Sequence, residues 1–176
     1  MENPRNLLVM GVCGSGKSTA ARAIAEALNA RFLEADDFHP QKNVAAMSRG
    51  EPLNDEMRWP WLAAVAEAAA RSDGPVVIAC SALKRSYRDL LCARVEGLHI
   101  VYLHAERDAL RARMLARENH YMPESLLDSQ LADLTPPEAD EPHIKVDATL
   151  PVAQIVSKTL TPWADDAQPQ KTGEDS

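Results

Sequence analysis

An α/β fold in three layers, with a central, mainly parallel sheet of five strands and a helical lid, follows from three features of the sequence. Short apolar runs alternate with longer helix-favouring stretches along the chain, the pattern of a parallel sheet covered by helices. The most apolar run, Val76-Val77-Ile78-Ala79-Cys80, has no polar alternation, as a strand buried on both faces requires. The first run, Leu7-Leu8-Val9-Met10, opens into Gly11-Val12-Cys13-Gly14-Ser15-Gly16-Lys17-Ser18, which fits G-x-x-x-x-G-K-[ST] at every fixed position.

Thr19 to Asn29 is Ala-rich and predicts the first helix. Arg31-Phe32-Leu33-Glu34-Ala35 predicts a second strand, beside the loop in the expected sheet order and ending at Asp36-Asp37-Phe38-His39-Pro40. Catalytic groups in such sheets gather at the C-terminal ends of strands. Gln41 to Ser48 reads as a short helix closed by Gly50, and Pro52-Leu53-Asn54-Asp55 as a turn that caps the next helix. That helix runs through Trp61 to about Arg71, with Pro60 in or near its first turn. Val76 to Cys80 takes the centre of the sheet beside the first strand, and a helix passes through Tyr87 to Val95. His99 to Leu103 is a fourth strand, Glu106 to Arg117 a charged helix and Glu124 to Leu134 another, broken by Thr135-Pro136-Pro137. His143 to Asp147 is the last strand and Val152 to Leu160 the last helix. One domain over 1–161 is expected, with a lid at roughly 113–135 and a polar, disordered tail over 162–176.

A chain of 176 residues, 45% hydrophobic and 26% charged, fits one soluble globular domain. Its net charge of −7 argues against a broad nucleic-acid footprint, which needs clustered Lys and Arg. Three cysteines, Cys13, Cys80 and Cys92, without framework spacing point to free, buried thiols in a reducing compartment. No apolar run approaches the roughly 20 residues of a membrane span, and the N-terminus lacks a secretory pattern, so a cytoplasmic protein is expected. A domain of this size often pairs, which leaves a homodimer open.

The Gly-rich loop predicts a nucleoside triphosphate site formed by Gly11, Val12, Cys13, Gly14, Ser15, Gly16, Lys17, Ser18 and Thr19. Its glycines let successive N–H groups turn toward phosphate oxygens at a helix N-terminus. Lys17 reaches the β- and γ-phosphates of ATP, and the Ser18 hydroxyl serves as a ligand of Mg²⁺. Five strands leave no room for a second domain, and no Asn-Lys-x-Asp phrase stands near His99 to Asp108, so a small-molecule kinase is favoured over a GTPase. Phosphoryl transfer needs a carboxylate for the acceptor's proton and cations over the spreading charge. Asp36 supplies the base, and Glu34, two residues earlier on the same strand face, holds Mg²⁺ through water. Arg113 and Arg117, four apart on one helix face, supply lid guanidinium groups. Asp36 and Asp37 as simple helix caps, and the arginines as a solvated face, remain the plainer readings.

Several phrases together resemble the gluconokinases of the shikimate-kinase-like group. They are the loop Gly11 to Ser18, Ala35-Asp36-Asp37-Phe38-His39-Pro40, Gly50-Glu51-Pro52-Leu53-Asn54-Asp55 with Arg58 and Pro60-Trp61-Leu62, and Cys80-Ser81-Ala82-Leu83-Lys84 with Tyr87-Arg88-Asp89-Leu90. His120, Met122, Gln130 and Leu134 to Glu138 extend the match, which covers roughly residues 6–160. The resemblance implies ATP-dependent phosphorylation of D-gluconate at its 6-hydroxyl. Gluconate is a polyol carboxylate, so its site pairs a cation with hydroxyl-binding groups. The candidates are Asp36, His39, Arg58, Ser81, Lys84, Arg88 and His120, while Trp59 and Trp61 pack or cover the site. Glu34 stands where many relatives carry aspartate, and Cys13 faces the phosphates closely enough for a thiol reagent to inhibit. A kinase for another hydroxy acid such as shikimate, or a non-catalytic nucleotide-binding regulator, are the competing readings.

Overall fold

The computed structural model describes residues 6–117 and 123–164. His120 and Met122, and the tail over 165–176, lie outside them. Five parallel strands form one sheet in the order β2-β3-β1-β4-β5. β1 (Asn6–Met10) lies between β3 (Val76–Ala79) and β4 (Leu98–His104), with Leu8 opposite both Ile78 and Ile100. β2 (Arg31–Glu34) and β5 (His143–Asp147) form the edges. The second strand is therefore one place removed from the loop strand, a correction to the expected order. β3, with all four residues buried, takes the inner position, while β2 carries an exposed Arg31 that suits an edge.

Alternation along the strands splits the core into two faces. Leu8, Met10, Ile78, Ile100 and Tyr102 pack against α3 (Asp55–Ala70) and α4 (Arg85–Arg94). Leu7, Val9, Val77, Val101 and Leu103 pack against α1 (Lys17–Leu28) and α7 (Val152–Ala164). A third cluster, Val12, Cys13, Leu83, Leu110 and Leu127, joins the loop after β1 to α5 (Arg107–Ala116) and α6 (Glu124–Asp133). α2 (Gln41–Ser48) precedes Gly50, where an added Cβ would meet Pro123 at 3.1 Å. No helix among the described residues is long and apolar enough to cross a membrane.

Two prolines sit deeper in helices than the sequence suggests. α3 begins at Asp55, capped by Asn54 accepting from the Met57 N–H, so Pro60 is its sixth residue. Glu56 and Pro60 are both exposed, so the carbonyl that loses its helical partner faces water. α7 continues through Pro162 to Ala164, because Trp163 is 6% exposed and packs edge-on against His99 at 5.7 Å. Residues 162–164 thus belong to the fold rather than to a tail. Trp163→Ala is expected to cost about 3 kcal/mol in urea unfolding; a change near zero would return these residues to the tail.

Candidate active site

The loop after β1 is packed from behind and open in front. An added Cβ on Gly11 would lie 2.8 Å from the Leu103 carbonyl oxygen. Gly14 has a φ of 80°, and a Cβ there would lie 3.0 Å from the carbonyl oxygen of Leu110 in α5. Both positions need glycine, because the neighbouring atoms are backbone and cannot turn away. Ser15 N–H donates to the Val12 carbonyl at 3.2 Å, closing the curl into α1, where Lys17, Ser18 and Thr19 form the first turn. Lys17 Nζ donates to the Val12 carbonyl at 3.2 Å, which holds the ammonium over the loop. Arg113 Nη1 donates to the Ser15 carbonyl at 3.4 Å from the other side. α5 ends at Ala116 and Arg117 already has extended backbone and an exposed position, so Arg113 alone is brought against the loop.

Ser18 Oγ donates to Glu34 Oε2 at the end of β2. A hydroxyl and a carboxylate beside a phosphate cradle are hard oxygen donors of the kind Mg²⁺ takes, so the pair fits the ion through Ser18 and a Glu34-bound water. Phosphate oxygens and water supply the remaining ligands in such sites, consistent with two protein groups rather than a cage.

Residues Ala35–Phe38 form a single 3-10 turn rather than a strand end. Glu34 and Asp36 consequently do not share a strand face; the turn directs Asp36 into the cleft, with its side chain 78% exposed. The turn is held from behind by Trp61, whose indole N–H donates to the Ala35 carbonyl at 2.7 Å. The same indole stacks on the His39 ring at 4.1 Å and 19°. Trp59 packs edge-on against Tyr87 at 5.3 Å, so both tryptophans are packing groups, as expected. One cleft is lined by Cys13, Lys17, Asp36, His39, Arg58, Ser81 and Gln130 among others.

Arg58 and Arg88 have opposite fates. Arg58 is buried, and its Nη1 is shared between Tyr87 Oη at 2.9 Å and Asp133 Oδ2 of α6 at 2.8 Å. Its other guanidinium nitrogens have no protein hydrogen bond among the described residues, and its side chain borders the cleft. Arg88 is 0% exposed, pairs with Glu141 through Nε at 2.7 Å and Nη2 at 3.1 Å, and lies outside the cleft lining. Its Nη1 donates to the carbonyls of Ala82 and Leu83 at 3.1 and 3.2 Å. Ala82 has a φ of 44°, a left-handed conformation costly for a residue with a Cβ, and Arg88 clamps it. The expectation that Arg88 binds substrate is thereby corrected: it supports the turn that presents Ser81. Lys84 lies in an adjoining opening, donating to Asp55 at 3.0 Å, and is not brought to Asp36. His120 lies outside the described residues.

Two contributors escaped the sequence reading. Gln130 Oε1 accepts from the Cys13 N–H at 2.8 Å, so α6 touches the loop directly; the residue matched a family phrase, but nothing in the pattern gave it a partner. Asn43, fully buried behind His39, carried no signal in the sequence. α6 is also tied to α5 through Arg107 on Asp128 and Glu124 and through Arg111 on Glu124, at 2.7, 3.0 and 2.8 Å.

Two of the three free thiols, Cys13 and Cys80, are buried as expected. Burial pushes the Cys13 thiol up in spite of Lys17 nearby, and Cys80 is pushed up to about 12 by its burial. Cys92, expected to be buried, is exposed on α4.

The protein-family model described as an AAA domain matches residues 7–137. The thermoresistant gluconokinase of Escherichia coli strain K12 is 41% identical over 157 residues, covering 87% of this chain and 90% of that protein. A crystal structure of a gluconokinase from Sinorhizobium meliloti 1021 superposes with a TM-score of 0.86 at 47% identity, over 95% of each chain. A shikimate kinase from Aquifex aeolicus has the same fold, with a TM-score of 0.60 at 15% identity over 92% of this chain and 98% of that one.

At neutral pH a maleimide is expected to label Cys92 first, with Cys13 and Cys80 reacting only on unfolding. Rapid modification of Cys13 in the folded protein, mapped by peptide mass, would contradict this.

Proposed function

We infer that this chain, which belongs to the gluconokinase family, transfers the γ-phosphoryl group of ATP to the 6-hydroxyl of D-gluconate, giving 6-phospho-D-gluconate and ADP. The observation that carries the reading is the shared cleft, in which Lys17 of the phosphate loop, Asp36, His39, Arg58 and Ser81 all take part. A triphosphate on the loop and a hydroxy acid on the opposite wall then meet at Asp36.

Asp36 accepts the proton of the 6-hydroxyl as its oxygen bonds to phosphorus and the bond from phosphorus to the ADP oxygen breaks. Lys17 and Arg113 take the charge that spreads over the phosphoryl oxygens, with Arg117 joining them in the closed lid. Gly11 to Thr19 hold the triphosphate, and Ser18 with Glu34 would hold Mg²⁺, which would supply charge neutralisation for the triphosphate. The free edge of the Arg58 guanidinium is the partner for the gluconate carboxylate, which gains from the low dielectric of a buried cation. Ser81 and His39 meet hydroxyls of the chain, and His120 is carried as a substrate contact by the family resemblance. The same reading includes the cytoplasm as compartment and a homodimer as the assembly to test by sedimentation.

A coupled ADP-release assay over D-gluconate, shikimate, 2-keto-gluconate and glycerate tests the assignment: release with gluconate alone, yielding 6-phosphogluconate, is expected. Release with another acid only would keep the kinase and void the acceptor. Asp36→Asn should lower kcat by about 10²–10⁴-fold while leaving ATP binding intact, and near-normal turnover would remove Asp36 as base. Arg58→Lys should raise the KM for gluconate by about tenfold, with the KM for ATP unchanged, because a lysine cannot serve Tyr87, Asp133 and a carboxylate from one planar fork.

A further inference from the structure

Asn43 is 0% exposed, in α2 behind the acceptor wall. Its side-chain nitrogen donates to the Met57 carbonyl oxygen at 2.9 Å and stands 3.2 Å from His39 Nδ1. A carbonyl oxygen can only accept, so the amide nitrogen, and not the amide oxygen, must face Met57. One of its two protons is used there and the other points at Nδ1. A proton on Nδ1 would set N–H against N–H, so Nδ1 carries the lone pair and the ring proton is on Nε2. Trp61, stacked on the imidazole, keeps the ring in the plane that this bond requires.

We propose that Asn43 is a positioning residue that locks His39 as the neutral Nε2–H tautomer, so that His39 donates a hydrogen bond to the acceptor hydroxyl and Asp36 alone takes its proton. The tautomer stands on the geometry above; the identity of the hydroxyl rests on the reading of the protein as a gluconate kinase. His39 Nε2 lies 3.8 Å from Asp36 Oδ1, too far for a direct bond. A hydroxyl oxygen about 2.8 Å from each fits between them. It accepts from Nε2–H through one lone pair, donates its only proton to Asp36, and keeps the second lone pair for phosphorus. A carbonyl at the same place has no proton to give and leaves Asp36 unpaired, so the pair also selects an alcohol over a ketone or aldehyde.

The surroundings favour the neutral ring. Burial pushes the His39 imidazole below its ordinary value, Arg58 across the cleft adds to that, and Asp36 on its own turn opposes it. Among the described residues, Lys17 and Glu51 are the other charged groups lining the cleft.

The tautomer is read by long-range ¹H–¹⁵N correlation of the imidazole nitrogens in the wild-type protein at pH 7.5, with His39→Gln assigning the resonances. A lone-pair Nδ1 and a protonated Nε2 are expected, and an Nδ1–H tautomer or a charged ring overturns the proposal. This readout needs no substrate: the expected tautomer without gluconate turnover would support the lock while removing the kinase reading. In Asn43→Asp the new carboxylate accepts from Nδ1 and favours the charged ring. Protonation then begins at higher pH, and because the imidazolium pairs with Asp36 and weakens it as a base, the acid limb of kcat/KM for gluconate should move up by about one pH unit or more, with the KM for ATP unchanged. A folded Asn43→Asp protein with an unmoved limb would overturn the proposal, since position 43 would then not act on His39 Nδ1.

Discussion

A phosphate cradle must turn its amides toward an anion, so everything that holds it has to come from behind. The constraint is met by backbone against backbone: Gly11 lies under the Leu103 carbonyl and Gly14 under that of Leu110. Neither contact tolerates a Cβ, and each fixes a different element, the end of β4 and the start of α5. The apolar cluster of Val12, Cys13, Leu110 and Leu127 then seals the loop from below, which also leaves Cys13 a packed thiol rather than a nucleophile. Because α5 is anchored to the loop itself, its position and the shape of the phosphate site are coupled from the outset.

The acceptor wall is organised by a different principle, in which buried polar groups support turns that sequence preference alone does not favour. Trp61 holds the Asp36 turn by one hydrogen bond and His39 by one stacked face. Arg88 with Glu141 holds the strained Ala82, and with it Ser81. Among the described residues Arg58 is fastened only at Nη1, by Tyr87 and Asp133, and so retains capacity for a ligand. Removing Glu141 would strand a buried charge, whereas removing Asp133 would leave Arg58 at the border of a solvated cleft.

The sheet was legible because apolar runs such as Val76 to Ala79 can be buried only one way, and the loop because its glycines and lysine form a mechanism as well as a pattern. The order of strands was less so: nothing local in Arg31 to Glu34 states which neighbour it takes, and the more apolar β3 claimed the inner place. The two arginines after the aspartate and serine phrases looked alike in sequence, since only the fold sets Glu141 beside one and a cleft beside the other. Asp36 was singled out through its neighbourhood, and it lines the cleft although its turn is 3-10 and not strand. Asn43 was missed because a helical asparagine has no signature until the atoms on both sides of its amide are known.

The ties between α5 and α6 are made by Arg107, Arg111, Glu124 and Asp128, all partly open to solvent. Each such pair contributes at most about 1 kcal/mol, and mobile ions weaken it. The apolar anchor under the loop is indifferent to electrolyte. The two halves of this attachment therefore answer to different properties of the medium: rising ionic strength weakens the surface pairs between α5 and α6, while the apolar cluster that includes Leu127 stays in place.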